Sequence, residues 1–448
     1  MIRNLWNDLE GTFFPESALD FMPQVQLREV QLQRLRAIVA HTYAHVPLFR
    51  DRMDEQGVRP HDICTLEDVV KLPFYVKADL RDTYPYGLFA LPMSDVVRLH
   101  ASSGTTGKPI VVGYSAADME VWKQVIMRSL YAAGYSRTDV VQNIYGYGLF
   151  TGGLGLHGGL EGIGATVIPI SGGNTERQIM VMKDFGVTAV CSTPSYFIHL
   201  IEVATKMGLD FKHDLKVKRG VFGAEPWTEQ MRQYIQRTTG IEAYDIYGLS
   251  EIIGPGVGVE CHCRDGLHIF EDHFLVEILD TETLQPVPDG QEGELVLTTL
   301  SKQAMPVIRY RTRDITSIDT RPCSCGRTIR RIKRISRRSD DMFIIRGVNV
   351  FPSQIETALL KAEASLPHYQ IVLTRKGGLD QVAVRVEITG EMLQDRIGDM
   401  ENLQKRFMKS IEQITGLRME VELVQPGSIP RSEGKAKRVL DKRNEEGA

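Results

Sequence analysis

Between residues 97 and 300 the chain alternates short apolar runs with longer amphipathic segments, and this alternation most restricts its fold. Residues 187–191 (VTAVC) and 220–222 read as buried strands, whereas residues 117–133 and 229–239 carry apolar side chains at helical spacing. Strands alternating with helices predict an α/β core with at least one largely parallel sheet. Upstream, residues 1–80 read as helical and loop-rich, with a helix over residues 25–44. Residues 274–318 change character: FLVEILD, GELVLTTL and TSID alternate between DG and EG turns, which predicts a small β-subdomain. A charged run over residues 330–341 reads by composition as a solvated linker. Beyond it, strand FIIRG, helix SQIETALLKAEA, strands YQIVLT and QVAVRVEIT, helix LQKRFMKSIEQIT and strand MEVELV form a self-sufficient α+β unit of about a hundred residues. The predicted division is residues 1–338, a hinge at 339–341, and a smaller domain over 342–448.

Composition narrows the function classes. The 448 residues carry 53 Lys+Arg against 57 Asp+Glu, a net charge of -4, with 42% apolar residues. That excludes a disordered chain and gives no support to nucleic-acid binding. The longest uncharged stretch, residues 140–160, is too rich in glycine and polar residues for a bilayer span. The N-terminal MIRNLWNDLEGTFF lacks the basic start and apolar run of a signal peptide, so the expectation is a soluble, cytoplasmic protein.

Five motifs carry chemical potential. HASSGTTGKP, residues 100–109, offers hydroxyl and backbone N–H donors plus the Lys108 cation, which together can wrap a phosphate chain. It is not a Walker A loop: Ser102 stands where that motif needs Gly, and Pro109 followed by IVV predicts a strand instead of a helix. AYDIYGLSE, residues 243–251, offers the Tyr247 ring for a base and Glu251 for a divalent cation, although singly they read as core packing and surface charge. GAEPW, residues 223–227, reads as a strand-end turn. In RYRTRD, residues 309–314, Asp314 can accept hydrogen bonds from a ribose diol or simply pair with an arginine. The fifth motif is the basic tail PRSEGKAKR, in which composition alone does not single out Lys435.

The order of these motifs is distinctive. SSGTTGKP, GAEP, YGLSE, YRTRD, RSDD and a terminal Gly-Lys together resemble the adenylate-forming superfamily of acyl- and aryl-CoA synthetases. YGYGLFTGGLG, EDHF, MPVIRYRTRD, RSDDMFIIRGVNVFPSQIE and GKAKRV resemble the phenylacetate-CoA ligase family, over about residues 25–440. The resemblance implies a large N-terminal α/β domain with two sheets and a β-subdomain, capped by a small mobile C-terminal α+β domain. It also implies a two-step ligation in which a carboxylate attacks the α-phosphate of ATP and coenzyme A then displaces AMP.

By the same resemblance, Ser102, Ser103, Gly104, Thr105, Thr106, Gly107 and Lys108 would hold the β- and γ-phosphates. Ala224, Glu225, Asp245, Tyr247 and Gly248 would line the adenine site, Asp314 and Arg338 would bind ribose, and Glu251 would ligate Mg²⁺. Lys435 matches the lysine that stabilises charge during adenylation. Asp340 matches the hinge, and Gly347 the loop used for thioester formation. Arg337 departs from the family pattern, where Gly often precedes the motif arginine. Tyr145, Tyr147, Phe150 and Gly153 resemble the aryl-acid segment; phenylacetate is the expected substrate, with indoleacetate, hydroxylated phenylacetates and benzoates open.

Of six cysteines, four form two C-x-C pairs, Cys261/Cys263 and Cys323/Cys325, a pattern that in a long cytosolic chain points to metal more than to disulfides. The family resemblance implies a structural zinc held by Cys261, His268, Cys323 and Cys325, with Cys263 the rival to His268. The expected partners are therefore ATP, Mg²⁺, coenzyme A, an aryl acid and zinc, without nucleic acid or membrane, and the resemblance allows a homodimer. Two other readings stand beside this one: transfer of the acyl group to a carrier-protein phosphopantetheine arm, and a nucleotide-binding regulator on an inactive ligase scaffold.

Overall fold

The computed structural model describes residues 14–102, 109–335, 337–339, 341–345, 348–362, 368–376, 379–388, 397–431, 436 and 438–443. The chain forms two compact units: Met1–Thr193 with His213–Ala224 and Glu242–Ile335, and Pro194–Lys212 with Glu225–Ile241 and Ser336–Ala448. No helix among the described residues is long and apolar enough to cross a membrane.

The first unit opens with helices α1 (Gln24–His45), α2 (Pro47–Glu55) and α3 (Lys77–Asp82), followed by a hairpin of β1 (Arg98–Ser102) and β2 (Ile110–Tyr114). Helix α4 (Ala116–Ala132) then leads to β3 (Val140–Asn143), α5 (Thr151–Gly162), β4 (Thr166–Ile168), α6 (Thr175–Asp184), β5 (Ala189–Ser192), β6 (Arg219–Gly223), β7 (Glu242–Leu249), β8 (Gly254–Glu260) and β9 (Leu267–Ile269). These strands, with β13 (Ile318–Asp319) and β14 (Arg331–Ile332), make a nine-stranded sheet in the order β13-β14-β9-β8-β7-β6-β5-β3-β4. Pairing is parallel from β4 through β7 and antiparallel beyond it. Strand β5 is buried along its whole length, as a central parallel strand covered on both faces must be.

Strands β10 (Phe274–Leu279), β11 (Gly293–Thr299) and β12 (Tyr310–Thr316) pair antiparallel in a separate sheet, as the alternating pattern predicts. The TSID run does not stay there. Its Ile318–Asp319 end crosses to pair with β14 at the edge of the large sheet, a partner that only the tertiary fold supplies.

Helix α4 starts at a reciprocal cap, Asp118 N–H to Ser115 Oγ at 3.1 Å and Ser115 N–H to Asp118 Oδ2 at 2.9 Å. Helix α5, TGGLGLHGGLEG, is helical despite its glycines, each of which weakens an isolated helix by about 1 kcal/mol relative to alanine. Packing against α4 explains two of them. A Cβ at Gly155 would sit 2.3 Å from the Trp122 ring, and one at Gly159 would sit 2.0 Å from Ile126. Only glycine lets α5 approach α4 this closely.

A buried ionic network ties distant parts of this unit. Arg128 donates to Asp20 Oδ1 at 2.6 Å and to Asp272 Oδ1 at 2.9 Å, with all three side chains fully buried. Arg327 Nε reaches the other oxygen of Asp20 at 3.2 Å. Removing one partner from such a set leaves an uncompensated buried charge and costs about 3–5 kcal/mol.

In the second unit, strands Tyr369–Lys376, Leu379–Glu387, Glu420–Val424 and Val439–Asp441 form a four-stranded sheet. Helices Pro352–Ala362 and Ile397–Thr415 contribute Leu359, Phe407 and Ile411 to its core, beside Ile371 and Val384. The predicted α+β pattern is present, joined by Val348–Val350 and Val439–Asp441, which are too short to stand out by periodicity.

Candidate active site

The strand order places a crevice. The chain leaves β3 through α5 toward β4 on one side, whereas from β5 it continues to β6 on the other. Ligands of open α/β sheets bind outside the carboxyl ends of strands at such a reversal. The aryl-acid candidates Tyr145, Tyr147, Phe150 and Gly153 follow β3 at that point. Tyr145 donates to the Ser192 carbonyl at 2.6 Å, fastening the loop to the end of β5. Asn143 Nδ2 donates to Tyr147 Oη and to the Gly153 carbonyl, both at 2.8 Å. The Tyr147 hydroxyl in turn lies 3.1 Å from His157 Nδ1, and burial pushes that phenol up. A Cβ on Gly153 would meet the Gly146 carbonyl at 2.4 Å, so the space opposite this glycine is filled by the loop's own backbone.

The glycine-hydroxyl motif joins β1 to β2, with Ser102 opposite Ile110, so the chain past Pro109 is a strand as predicted. Ser102 ends β1; Ser103, Gly104, Thr105, Thr106, Gly107 and Lys108 lie outside the described residues. The hairpin is bonded to the aryl-acid loop, because the Leu149 carbonyl accepts from Ala101 N–H at 2.8 Å and from His100 Nδ1 at 3.0 Å. Burial pushes the His100 imidazole down, favouring the neutral ring that this bond orients.

At the ends of β6 and β7 the nucleotide candidates cluster. Ala224 adopts φ 71°, the left-handed region that a non-glycine residue enters only at a cost of about 1–3 kcal/mol. Asp245 Oδ2 lies 3.4 Å from Arg334 Nε, and its N–H donates to Glu260 at 2.8 Å. Tyr247 donates its hydroxyl to Asp314 Oδ2 at 2.5 Å. The motif arginines pair elsewhere, Arg309 with Glu277 and Arg311 with Glu294. At Gly248 the β7–β8 register shifts, and a Cβ would sit 1.9 Å from the Gly254 carbonyl.

Glu251 is not the surface charge that composition favours. It is 7% exposed, and Oε1 accepts from the Tyr310 hydroxyl at 2.6 Å. Its carbonyl accepts from Lys302 Nζ at 2.8 Å. Burial pushes the Lys302 ammonium down to about 7, against the pull of Asp118 and Glu251. Sequence reasoning missed Lys302 and Tyr310; a lysine inside the otherwise apolar end of the β-subdomain was the available signal.

Within the second unit, Glu225 accepts from Ser195 N–H at 2.8 Å and from Ala436 N–H at 2.9 Å, and Arg338 Nε lies 3.8 Å from Asp341. Asp340, Gly347 and Lys435 lie outside the described residues.

A sulfur-rich cluster forms where β8, β9 and the β13–β14 loop meet. The ligand atoms of Cys261, His268, Cys323 and Cys325 all lie within 4.8 Å of one another. Cys261 Sγ is 3.6 Å from Cys323 Sγ, and Cys325 Sγ is 3.4 Å from His268 Nε2. A tetrahedral zinc site with bonds of about 2.3 Å has edges of about 3.8 Å, so these four atoms match its dimensions. His268 Nδ1 donates to the Ile329 carbonyl at 3.2 Å, which leaves Nε2 as the free lone pair facing the sulfurs. Cys263 instead lies 3.1 Å from Ser324 Oγ. The Cys261 and His268 contacts draw the Cys325 thiol far below its ordinary value, toward the thiolate.

Residues 29–303 match the AMP-binding enzyme family, and residues 347–443 match the AMP-binding enzyme C-terminal domain. The chain is 51% identical to a phenylacetate-coenzyme A ligase of Pseudomonas putida, over 93% of this chain and 94% of that one. The chain belongs to the phenylacetate-CoA ligase family. A second member of that family, from Thermus thermophilus, is 48% identical over 95% of this chain and 98% of the relative. Among solved structures, a 2-hydroxyisobutyryl-CoA ligase in the postadenylation state, in complex with R3-HIB-AMP, aligns with a TM-score of 0.90. It is 28% identical, with 97% of this chain and 94% of that chain covered. The fold of the ligase family is thus present through both the large N-terminal and the small C-terminal domain.

Proposed function

We propose that the protein ligates an aryl acid, phenylacetate foremost, to coenzyme A in an ATP-dependent, AMP-forming reaction. The observation that carries this reading is whole-length identity of about half to phenylacetate-coenzyme A ligases. A carboxylate is a poor electrophile at neutral pH; attack on the α-phosphate of ATP releases pyrophosphate and gives a mixed anhydride with AMP as its leaving group. The coenzyme A thiol then attacks the acyl carbon and AMP departs. Holding two charged reactants in line supplies most of the acceleration for such a step.

In this reading Tyr145, Tyr147 and Phe150 form the acid end beside β3, while Ser102 and the loop through Lys108 receive the β- and γ-phosphates. Ala224, Glu225, Asp245, Tyr247 and Gly248 surround the adenine. Asp314, oriented by Tyr247, takes the ribose diol with Arg338. Lys435 stabilises charge between carboxylate and α-phosphate, Asp340 is the pivot for alternation of the C-terminal domain, and Gly347 faces the second half-reaction. Glu251 suits Mg²⁺: one oxygen is held by Tyr310, and the other has no hydrogen bond among the described residues. When bound there, the cation would neutralise phosphate charge. Cys261, His268, Cys323 and Cys325 would hold a zinc whose role is structural, since four protein ligands leave no open position for chemistry. A cytoplasmic location and a homodimer complete the reading, on family resemblance alone.

The test is pyrophosphate release with ATP, Mg²⁺ and a panel of aryl acids, each with and without coenzyme A. Turnover that requires coenzyme A and prefers phenylacetate is the expected result. Acid-dependent release that coenzyme A does not accelerate would instead assign a carrier-protein acceptor. No release with any acid would leave a nucleotide-binding regulator.

A further inference from the structure

The turn that carries Glu251 is held from three directions by side chains distant in sequence. Tyr114 Oη reaches the carbonyls of Ser250 and Ile253 at 3.3 and 3.1 Å. Thr151 Oγ1 meets Ser250 Oγ at 2.9 Å. Lys302 lies with its ammonium 5.1 Å from the centre of the Tyr114 ring and donates to the Glu251 carbonyl. The Lys302 loop is itself anchored, because Asp118 accepts from Gln303 N–H at 2.6 Å and from Ala304 N–H at 2.9 Å.

A fully buried ammonium is an expensive way to fill this space. Desolvation costs several kcal/mol, and an apolar side chain of similar length would pack without it. What Lys302 adds is a directed N–H donor that pins the Glu251 carbonyl. It holds Glu251 from the main-chain side. Tyr310 acts on the other side: its hydroxyl occupies Oε1, which fixes the carboxylate plane and leaves Oε2 as the oxygen that projects without a described partner.

We propose that Lys302 and Tyr310 are positioning residues for the Glu251 carboxylate, one pinning its main chain, the other orienting it so that a single oxygen meets the divalent cation. This rests on the reading of Glu251 as the Mg²⁺ ligand. Neither side chain touches substrate; both act through Glu251.

The experiment measures Mn²⁺ affinity directly, by electron paramagnetic resonance, for the full-length protein loaded with a non-hydrolysable ATP analogue. Lys302→Met and Tyr310→Phe are compared with wild type and with Glu251→Gln, and a thermal midpoint is recorded for each. Loss of one hydrogen bond to a charged group is expected to weaken Mn²⁺ binding by about tenfold in each positioning variant. Tyr310→Phe keeps the ring, so it serves if Lys302→Met does not fold. If Glu251→Gln weakens Mn²⁺ binding while folded Tyr310→Phe and Lys302→Met bind it as wild type does, the proposal is overturned and the ligand assignment stands. If Glu251→Gln itself binds Mn²⁺ normally, the ligand assignment fails and the proposal falls with it. A lower thermal midpoint with unchanged Mn²⁺ affinity also overturns it, because it would mark both side chains as structural only.

Discussion

The Tyr247 phenol and the Asp314 carboxylate meet at 2.5 Å, which joins the end of β7 to β12 and so links two motifs 67 residues apart. Asp314 is 3% exposed, and the tyrosine's proton engages its Oδ2. In the proposed reading, this pair would make the nucleotide's base and sugar positions interdependent.

Tyr247→Phe keeps the ring and removes that bond. Since a hydrogen bond to a charged group contributes about 1.5–3 kcal/mol, KM for ATP should rise about tenfold or more. Initial rates of pyrophosphate release over a range of ATP concentrations measure it; an unchanged KM would mean that Asp314 does not need orienting.

The cysteine–histidine cluster predicts one tightly held zinc per chain in protein purified without chelators. Cys325→Ser should lose the metal and lower the thermal midpoint, with kcat at low temperature less affected. Elemental analysis that finds no zinc in the wild type would end the idea.

Lys435→Ala should slow adenylation by about 100-fold or more, the scale of removing a charge-stabilising donor. Thioester formation from pre-made acyl-adenylate should largely survive. Equal loss in both half-reactions would make Lys435 structural.

His273 predicts a pH dependence of stability. Its Nδ1 lies 3.3 Å from Arg34 Nη1 and 2.7 Å from Ser301 Oγ; the arginine can only donate, so Nδ1 is the unprotonated nitrogen of a neutral ring. Burial pushes the imidazole down to about 4. Below about 6.5 the unfolded chain then binds a proton that the folded chain refuses. Stability is complete above that pH and declines as pH falls toward 4, by about 3 kcal/mol in all. Urea melts across this window should show the slope, and His273→Gln should flatten it. A wild-type slope unchanged in the variant would assign the effect to other groups.

What was legible in the sequence was whatever depends on local pattern. The helix read over residues 117–133 is Ala116–Ala132, and Glu229–Thr239 falls where its spacing places it. The strand pattern over residues 187–191 is found one or two residues further on, as Ala189–Ser192, because Val187 N–H closes the turn out of α6 on the Met182 carbonyl. Burial of charge was not legible. Glu251 reads as a surface residue because its partners Lys302 and Tyr310 lie 51 and 59 positions away. Helix α5 was hidden for a related reason: its glycines oppose helix formation until α4 covers them. Among the zinc candidates, the family resemblance left His268 and Cys263 as rivals; in the structure His268 Nε2 lies 3.4 Å from Cys325 Sγ, whereas Cys263 lies against Ser324.

The Asp20–Arg128–Arg327 network has a consequence for biosynthesis. A ribosome has made most of the chain before Arg327 emerges, and until then the 3₁₀ turn Pro15–Phe21 holds a carboxylate with only part of its buried compensation. Any product cut short before that residue leaves Asp20 under-neutralised and Phe21 without the arginine that covers its ring at 5.3 Å. Asp20 therefore reaches its full buried compensation only once Arg327 is in place.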